Sequence, residues 1–295
     1  MIYIQQGILE SVPSHARYLE FSLQAGERPT APLLKLAAVI NGKDTVLGIG
    51  QTLISAMGAD IPGMKDFPVL TASGISVPST PAALWCWLRG GDPGELIHRG
   101  RMIKKILDPV FTLDQVVDAF MYDTGRDLSG YEDGTENPEG DAAEKAAMAI
   151  GDREGMYGSS FAAVQQWVHD LDEFERMSPA ERDNTIGRRH SDNSEIEDAP
   201  ESAHVKRTAQ ESFQPEAFVL RRSMPWNDSL QAGLMFVAFG HSFAAFEAQL
   251  RRMTGHDDGI TDALFRFTRP VRGSYYWCPP IKNGRPDLSM LGLHS

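Results

Sequence analysis

Residues 130–138 read Gly130-Tyr131-Glu132-Asp133-Gly134-Thr135-Glu136-Asn137-Pro138. Two glycines, one asparagine, one proline and three carboxylates within nine residues exclude a helix or a central strand. The stretch is therefore predicted to be a loop whose backbone shape is set by Gly130 and Gly134, since glycine accepts conformations that other residues avoid. A lone Asp-Gly pair is most often a surface turn, so the rest of the chain must decide whether this loop has a function.

The residues before this loop alternate predicted strands and helices. Apolar residues with a period of two indicate strands, and those with a period of 3.6 indicate helices. The predicted strands are 16–24, 45–49, 81–88 and 110–121, and the predicted helices are 30–41, 51–58 and 92–107. This order, β-α-β-(α)-β-α-β, is typical of a ferredoxin-like antiparallel sheet with helices on one face.

The residues after the loop repeat this order of elements without sequence identity. The predicted strands are 160–168, 217–222, 232–239 and 273–278, and the predicted helices are 178–186, 242–254 and 260–266. Residues 139–155 are rich in Gly, Ala, Asp and Glu and are predicted to be a connection. The sequence thus predicts an α+β protein of two ferredoxin-like domains with antiparallel sheets, 1–138 and 156–295.

Composition excludes several classes of partner. The chain has 295 residues and a net charge of −12, which argues against binding nucleic acid or an anionic membrane. No apolar run reaches the roughly 20 residues needed to cross a bilayer, and no signal peptide is visible, so a cytoplasmic protein is expected. Cys86 and Cys278 lie in apolar, aromatic runs and are predicted to be buried free thiols, since no Cys-x-x-Cys spacing suggests a metal site.

The pattern Gly-x-x-Asp-Gly-Thr-Glu-Asn-Pro resembles the signature loop of the dye-decolourising peroxidases, in which the aspartate lies above a haem iron. Here that aspartate is Asp133. The closing segment 265–277 also resembles this family, so the resemblance covers nearly the whole chain. It is similar to the shorter, cytoplasmic bacterial members.

His204 lies in Glu201-Ser202-Ala203-His204-Val205-Lys206-Arg207, directly after a long polar segment at 187–202. It can be an exposed histidine beside two cations, or an axial ligand of haem iron, for which a neutral imidazole is a common choice. The stretch resembles the proximal segment of the family, which favours the ligand.

Two adjacent arginines, Arg221 and Arg222, lie on a predicted strand that stops at a turn formed by Pro225. Side chains alternate across a strand, so one arginine is expected to face a cavity and the other solvent. A solvated basic edge is the other interpretation. The family pattern apolar-Arg-x-polar-apolar-Pro places the distal arginine at Arg221.

The resemblance implies two ferredoxin-like domains of the dimeric α+β barrel type and one haem b per chain, held mainly by the C-terminal half. It implies His204 as the iron ligand, Asp133 as a proton shuttle and Arg221 as the group that stabilises developing charge. Ser223 falls where some members carry Asn and keeps the distal site polar. The other implied cofactor-binding residues are Glu132, Gly134, Thr135, Arg188, Phe236 and Asp262.

Asp262 resembles the carboxylate that accepts a hydrogen bond from the iron-ligating histidine, although a helix cap is an equally direct interpretation. Arg188 resembles an arginine that pairs with a haem propionate. An aromatic strand carries Phe236 and Phe239, which either line the haem or belong to the core.

The resemblance further implies hydrogen peroxide and small organic reductants, phenols or dyes as substrates, and a homo-oligomer. One alternative is a haem-binding carrier or a protein that releases iron from haem, with incidental peroxidase activity. Another is a metal-dependent hydrolase using Asp133, Glu136 and a histidine, although the chain has no close His-x-x-x-His spacing. Some family members have tails that dock into protein nanocompartments, but the short segment 286–295 favours a packed C-terminus.

Overall fold

Strands and helices follow one another along the chain. The computed structural model describes residues 2–149 and 154–293. The strands are β1 (Ile2–Tyr3), β2 (His15–Leu23), β3 (Thr45–Ile49), β4 (Leu70–Ala72), β5 (Ile75–Val77), β6 (Leu84–Gly90), β7 (Phe111–Phe120), β8 (Ser160–His169), β9 (Leu220–Arg221), β10 (Met224–Asn227), β11 (Ala232–Gly240), β12 (Thr268–Cys278), β13 (Ile281–Lys282) and β14 (Arg285–Pro286). The helices are α1 (Gln6–Leu9), α2 (Thr30–Val39), α3 (Gln51–Ala56), α4 (Pro93–Leu107), α5 (Gly140–Ala147), α6 (Leu171–Arg176), α7 (Pro179–Ile186), α8 (His204–Thr208) and α9 (Ala244–Met253). Short 3-10 helices cover Gln210–Ser212, Ala263–Arg266 and Ser289–Leu291.

Eight strands close into one antiparallel barrel. The N-terminal half contributes the order β7-β2-β6-β3 and the C-terminal half the order β12-β8-β11-β10. In each half the order is fourth, first, third, second along the chain, as in a ferredoxin-like sheet. Strand β12 pairs with β3, and β10 pairs with β7, so the two sheets join at both sides. The predicted α+β class with antiparallel sheets is confirmed, whereas the domain boundaries stay a prediction.

Alternation along the strands divides the core into two apolar layers. In β6, Trp85 and Trp87 belong to one buried cluster, and Leu84, Cys86 and Leu88 belong to the other. The first cluster receives side chains from all eight strands of the barrel and therefore fills its interior. The second lies on the outer faces, under the helices. Both faces of most strands are thus withdrawn from water, whereas outward side chains of β7 such as Asp114 and Asp118 are exposed.

The predicted connection 139–155 is wrong for about half of its length, because α5 forms at Gly140–Ala147. Ala143, Ala146 and Ala147 are buried. Their spacing places three small side chains on one helical face, which packs closely against the barrel. Residues 150–153 of this segment lie outside the described residues.

The predicted turn at Pro225 is also wrong, since β10 runs through Met224–Asn227 and pairs with both β11 and β7. The preceding strand is reduced to Leu220–Arg221. Arg222 does not face solvent either, because it is 9% exposed and donates to the carbonyl oxygens of Ile8 (3.0 Å) and Leu9 (2.6 Å). In a closed barrel, a residue that follows one facing an outer cavity points into the barrel interior and not into solvent. Burial in the interior lowers the pKa of Arg222 to about 10.

Cys86 and Cys278 are buried free thiols, as predicted. Burial raises the pKa of the Cys86 thiol to about 12, because the low-dielectric interior disfavours the thiolate. Neither cysteine is therefore a nucleophile at neutral pH.

Candidate active site

A cavity lies on the outer face of the C-terminal half of the sheet, beneath α8 and α9. Successive outward positions of β8 supply Gln165, Trp167 and His169, and β11 supplies Leu234 and Phe236. The cavity is walled by residues of the 130–138 loop, by the segment from Ile186 to Glu195, and by both helices. Strand alternation thus presents polar and apolar side chains to one concave surface.

The signature loop has the backbone shape that its glycines predicted. Gly130 has φ +85°, and a Cβ there would lie 2.7 Å from Nε2 of His190. Gly134 has φ +80°, and a Cβ there would lie 2.7 Å from Nδ2 of Asn137. Both positions therefore exclude a side chain by conformation and by contact.

Asn137 fastens the end of this loop to β9. Its Nδ2 donates to the carbonyl oxygen of Arg221 (3.1 Å), and its Oδ1 accepts from the Arg221 backbone N–H (2.7 Å). The side-chain amide thus acts as a strand partner for β9, whose other partner among the described strands is β11. Asp133 lies in the same loop, with Oδ1 3.7 Å from Nη1 of Arg221.

His204 begins α8 and is held by Asp262. Its Nδ1 lies 2.8 Å from Oδ2 of Asp262, which is 1% exposed. The other oxygen, Oδ1, accepts from the Leu264 N–H (2.9 Å) and caps the 3-10 helix that follows. Each oxygen of Asp262 thus has its own partner, so the helix cap is present, whereas the role of Asp262 beside an iron ligand stays a prediction. Among the described residues, no side chain or backbone group bonds Nε2 of His204.

His169 is a second cavity histidine, which the sequence analysis did not single out. Its Nε2 lies 3.0 Å from Oδ1 of Asp127, and its Nδ1 lies 2.6 Å from Oγ1 of Thr268. Burial tends to raise the pKa of Asp127, but the hydrogen bond and charge of His169 and the bonds from Ser129 outweigh it, so this pKa is lowered. With both nitrogens occupied, His169 is not available as a metal ligand, whereas His204 is.

Arg188 marks the polar end of the cavity. It follows Gly187, which ends α7 in the left-handed conformation, and it is only 9% exposed. Its guanidinium donates to the carbonyl oxygen of Asn193 (3.0 Å) and to the carboxylate of Glu136, with Glu195 3.6 Å away. A buried guanidinium held in this way offers a fixed site for carboxylates.

The other predicted site residues lie at the polar end of the cavity, in a neighbouring depression or at the apolar end of the cavity. Glu132 and Thr135 line the polar end, where both accept from Nδ2 of Asn193 (2.9 and 3.0 Å). Gly134 and Ser223 line a neighbouring depression that shares Asp133 and Arg221 with the cavity. In that depression, Oγ of Ser223 accepts from the Val237 N–H at 3.4 Å.

Phe236 belongs to the apolar end of the cavity, with Leu234, Phe246, Leu250 and Met253. Phe239 does not line it. That ring lies in the barrel interior, 6.4 Å from Trp85 and 6.1 Å from Trp87 between ring centroids.

The donor set suits a cofactor that brings its own metal ligands. Across residues 2–149 and 154–293, no group of three or more His, Cys, Asp and Glu side chains is placed to hold a bare metal ion. Among the described residues, the imidazole of His204, the apolar end of the cavity and the buried Arg188 are the groups that would hold the iron, the ring and the carboxylates of an iron porphyrin. In the same described part of the chain, no helix is long and apolar enough to cross a membrane.

The chain is similar in sequence to known peroxidases. Residues 124–283 match the family description "Dyp-type peroxidase, C-terminal". The dye-decolorizing peroxidase of Mycobacterium tuberculosis is 32% identical over 226 residues, covering 74% of this chain and 67% of that protein. The dye-decolorizing peroxidase of Rhodococcus erythropolis is 27% identical over 299 residues, covering 94% and 86%.

Solved structures share the whole fold. A dye-decolorizing protein from Vibrio cholerae is 25% identical, with a TM-score of 0.86 over 98% of this chain and 99% of that chain. A variant of the Rhodococcus jostii RHA1 enzyme DypB, in complex with heme, is 25% identical, with a TM-score of 0.82 over 93% and 96%. Together with the match over residues 124–283, which is more than half of the 295 residues, these relatives show that the chain belongs to the family of Dyp-type, dye-decolorizing peroxidases.

Proposed function

We propose that this chain binds one haem b in the cavity on its C-terminal half and uses it to reduce hydrogen peroxide. The observation that carries this proposal is the free Nε2 of His204, whose Nδ1 is bonded to a buried carboxylate 2.8 Å away. A metal-ligating histidine almost always donates its other N–H to such an acceptor, which fixes the ring and makes it a stronger ligand. His204 is therefore the proposed iron ligand and Asp262 its partner.

Other residues of the cavity would hold the porphyrin. Arg188 would pair with a propionate, exchanging part of its present bonding to Glu136. Phe236 and its apolar neighbours would contact the ring. Glu132, Gly134 and Thr135 belong to the loop that bounds the cofactor.

Bound haem supplies an iron that accepts oxidising equivalents from hydrogen peroxide. Asp133 would take a proton from one peroxide oxygen and return it to the oxygen that leaves, because a carboxylate works as both base and acid. A guanidinium does not act as a general base, so Arg221 would stabilise negative charge on the leaving oxygen rather than move the proton. Ser223 would keep the adjoining depression polar.

This chemistry favours an enzyme over a haem carrier or an iron-release protein. A carrier has no need for an acidic and a cationic side chain held 3.7 Å apart in its cofactor cavity. Dyes, phenols or other small organic reductants are the proposed electron donors, in line with the names of the relatives.

Three further properties stay predictions: a homo-oligomer, a cytoplasmic location and docking of the C-terminal tail in a protein shell. The described part of that tail reaches Leu293, and Leu291 and Leu293 are both buried. This packing supports the interpretation of a packed C-terminus.

The deciding measurement is an absorption spectrum of the haem-supplied protein and its His204→Ala variant, before and after one equivalent of hydrogen peroxide. We expect a strong Soret band that shifts with peroxide in the wild type and weakens in the variant. Protein that takes up no haem would refute the proposal. Haem that binds but does not react with peroxide would favour the carrier.

A further inference from the structure

Asp127 organises the turn that opens the signature loop. Its backbone N–H donates to the carbonyl oxygen of Tyr131 (2.9 Å), and its own carbonyl accepts from Gly130 (2.8 Å). Its Oδ2 accepts from the Ser129 N–H (2.9 Å). These bonds tie Asp127 to Ser129, Gly130 and Tyr131, in the stretch that leads to Asp133.

His169 holds this turn against the barrel. Its ring contacts Asp127 on the loop through Nε2, at 3.0 Å, and Thr268 on β12 through Nδ1, at 2.6 Å. His169 is itself the last residue of β8, and its side chain is only 5% exposed. One imidazole thus joins the loop to two strands of the sheet.

Both partners of this ring are themselves fixed in place. Oγ1 of Thr268 also lies 3.1 Å from the Val168 carbonyl oxygen, to which its single hydroxyl proton can be donated. The carboxylate of Asp127 accepts a hydrogen bond from Nε2, and Thr268 holds Nδ1 from the other side. A hydrogen bond to a carboxylate is stronger than one between neutral groups, so this contact holds the turn firmly.

We infer that His169 is a positioning residue: its imidazole, held between Asp127 and Thr268, fixes the loop that places Asp133 beside Arg221. The inference rests on the proposed role of Asp133 in peroxide cleavage. The loop is fastened at both ends, by His169 through Asp127 at one end and by Asn137 through the Arg221 backbone at the other. Asp133 lies between the two attachments, where a small displacement has a large effect on proton transfer.

The test compares His169→Gln with two variants that each remove one of its partners, Asp127→Asn and Thr268→Val. Thr268→Val keeps the volume and removes only the hydroxyl, so it remains informative where His169→Gln fails to fold. His98→Gln is the matched control, since His98 is exposed on α4 and outside the cavity. Hydrogen exchange of residues 127–133 is measured by mass spectrometry on the haem-supplied and haem-free proteins.

We expect exchange in 127–133 to be about tenfold faster or more in the three variants, because a charge-assisted bond is lost, and unchanged in His98→Gln. In steady-state assays, kcat/KM for hydrogen peroxide falls by a similar factor, while kcat/KM for the reductant and the haem content stay at wild-type values.

Unchanged loop exchange in His169→Gln and Thr268→Val would overturn the inference. Equal losses of both kcat/KM values, together with lost haem, would overturn it as well, since they indicate a general structural role. A wild-type protein that ignores peroxide would refute the proposed function alone, because the exchange data on haem-free protein still decide what holds the loop.

Discussion

Asp262 holds His204 with one carboxylate oxygen and caps a 3-10 helix with the other. The cap fixes the carboxylate, so the oxygen bonded to Nδ1 cannot move away from the ring without breaking the helix start. The direction of Nε2 is therefore set by an element that lies outside α8. This arrangement separates two properties of the same side chain, its charge and its capping bond.

Asp262→Asn should keep the cap and remove the charge, because asparagine is as good a helix cap as aspartate. We expect haem to bind, but the peroxide reaction to slow by about 10–100-fold, the usual effect of losing a partner of a metal-ligating histidine. Stopped-flow spectroscopy of the peroxide reaction measures this. Asp170→Asn is the control, since Asp170 caps α6 on the surface. Equal rates for the two variants would contradict the role of Asp262.

Asn137→Ala should loosen the loop from β9. Two hydrogen bonds to the Arg221 backbone are lost, so the free energy of unfolding should fall by about 1–3 kcal/mol. The value of kcat/KM for peroxide should fall too, because the separation of Asp133 and Arg221 is no longer fixed. Urea unfolding and steady-state kinetics test both effects. Asn227→Ala, at the exposed end of β10, should change neither; a loss of the same size there would count against a specific attachment.

Gly130→Ala should destabilise the protein in two separable ways. The positive φ costs about 1–3 kcal/mol for a residue with a Cβ, and the new methyl group would lie 2.7 Å from His190. The double variant Gly130→Ala/His190→Ala should recover only the part of the lost stability that comes from the contact with His190. Gly26→Ala is the matched control, since Gly26 has φ +81° in open space. Identical unfolding free energies for Gly130→Ala and Gly26→Ala would show that the contact has no effect.

The lowered pKa of Asp127 predicts a contribution to stability that depends on pH. Because the folded pKa lies below the ordinary value of 3.8, the ionised carboxylate stabilises the fold fully above that pH and is lost as the pH falls through the folded value. The difference in unfolding free energy between wild type and Asp127→Asn should therefore be constant above about pH 5 and shrink on acidification from about pH 4. Urea titrations at several pH values measure it, and a difference that persists undiminished in acid would contradict the ion pair.

Periodicity located two of the long strands closely, whereas β12 (Thr268–Cys278) begins five residues before the predicted 273–278, because Arg269, Pro270 and Arg272 interrupt its apolar pattern. Strands β2 and β8 begin and end within one residue of the predicted limits. Helix α5 was not predicted because residues 139–155 are rich in Gly and Ala, although the spacing of Ala143, Ala146 and Ala147 is typical of a helix. Closure of the barrel left no such signal, because it depends on pairing between distant segments through a strand that contains Pro225.

Some residues of the candidate site could be predicted from the sequence and others could not. Short patterns identified Asp133, His204 and Arg221, and the structure brings them to one cavity. His169 was missed because nothing local marks it, although Gln165, Trp167 and His169 occupy successive outward positions of β8. Alternation correctly separated Arg221 from Arg222, but a sequence cannot distinguish solvent from the inside of a barrel.

The two sheets of the barrel join through very short ladders. A single residue pair, Ile49 with Trp277, links β3 to β12, and another, Ala119 with Trp226, links β7 to β10. Each junction thus carries one of the five tryptophans of the chain, and Trp226 also donates from its indole N–H to the Trp167 carbonyl oxygen (2.9 Å). Fluorescence of Trp226 and Trp277 should therefore report the separation of the two sheets. A red shift of tryptophan emission should accompany the first opening of the barrel under denaturant.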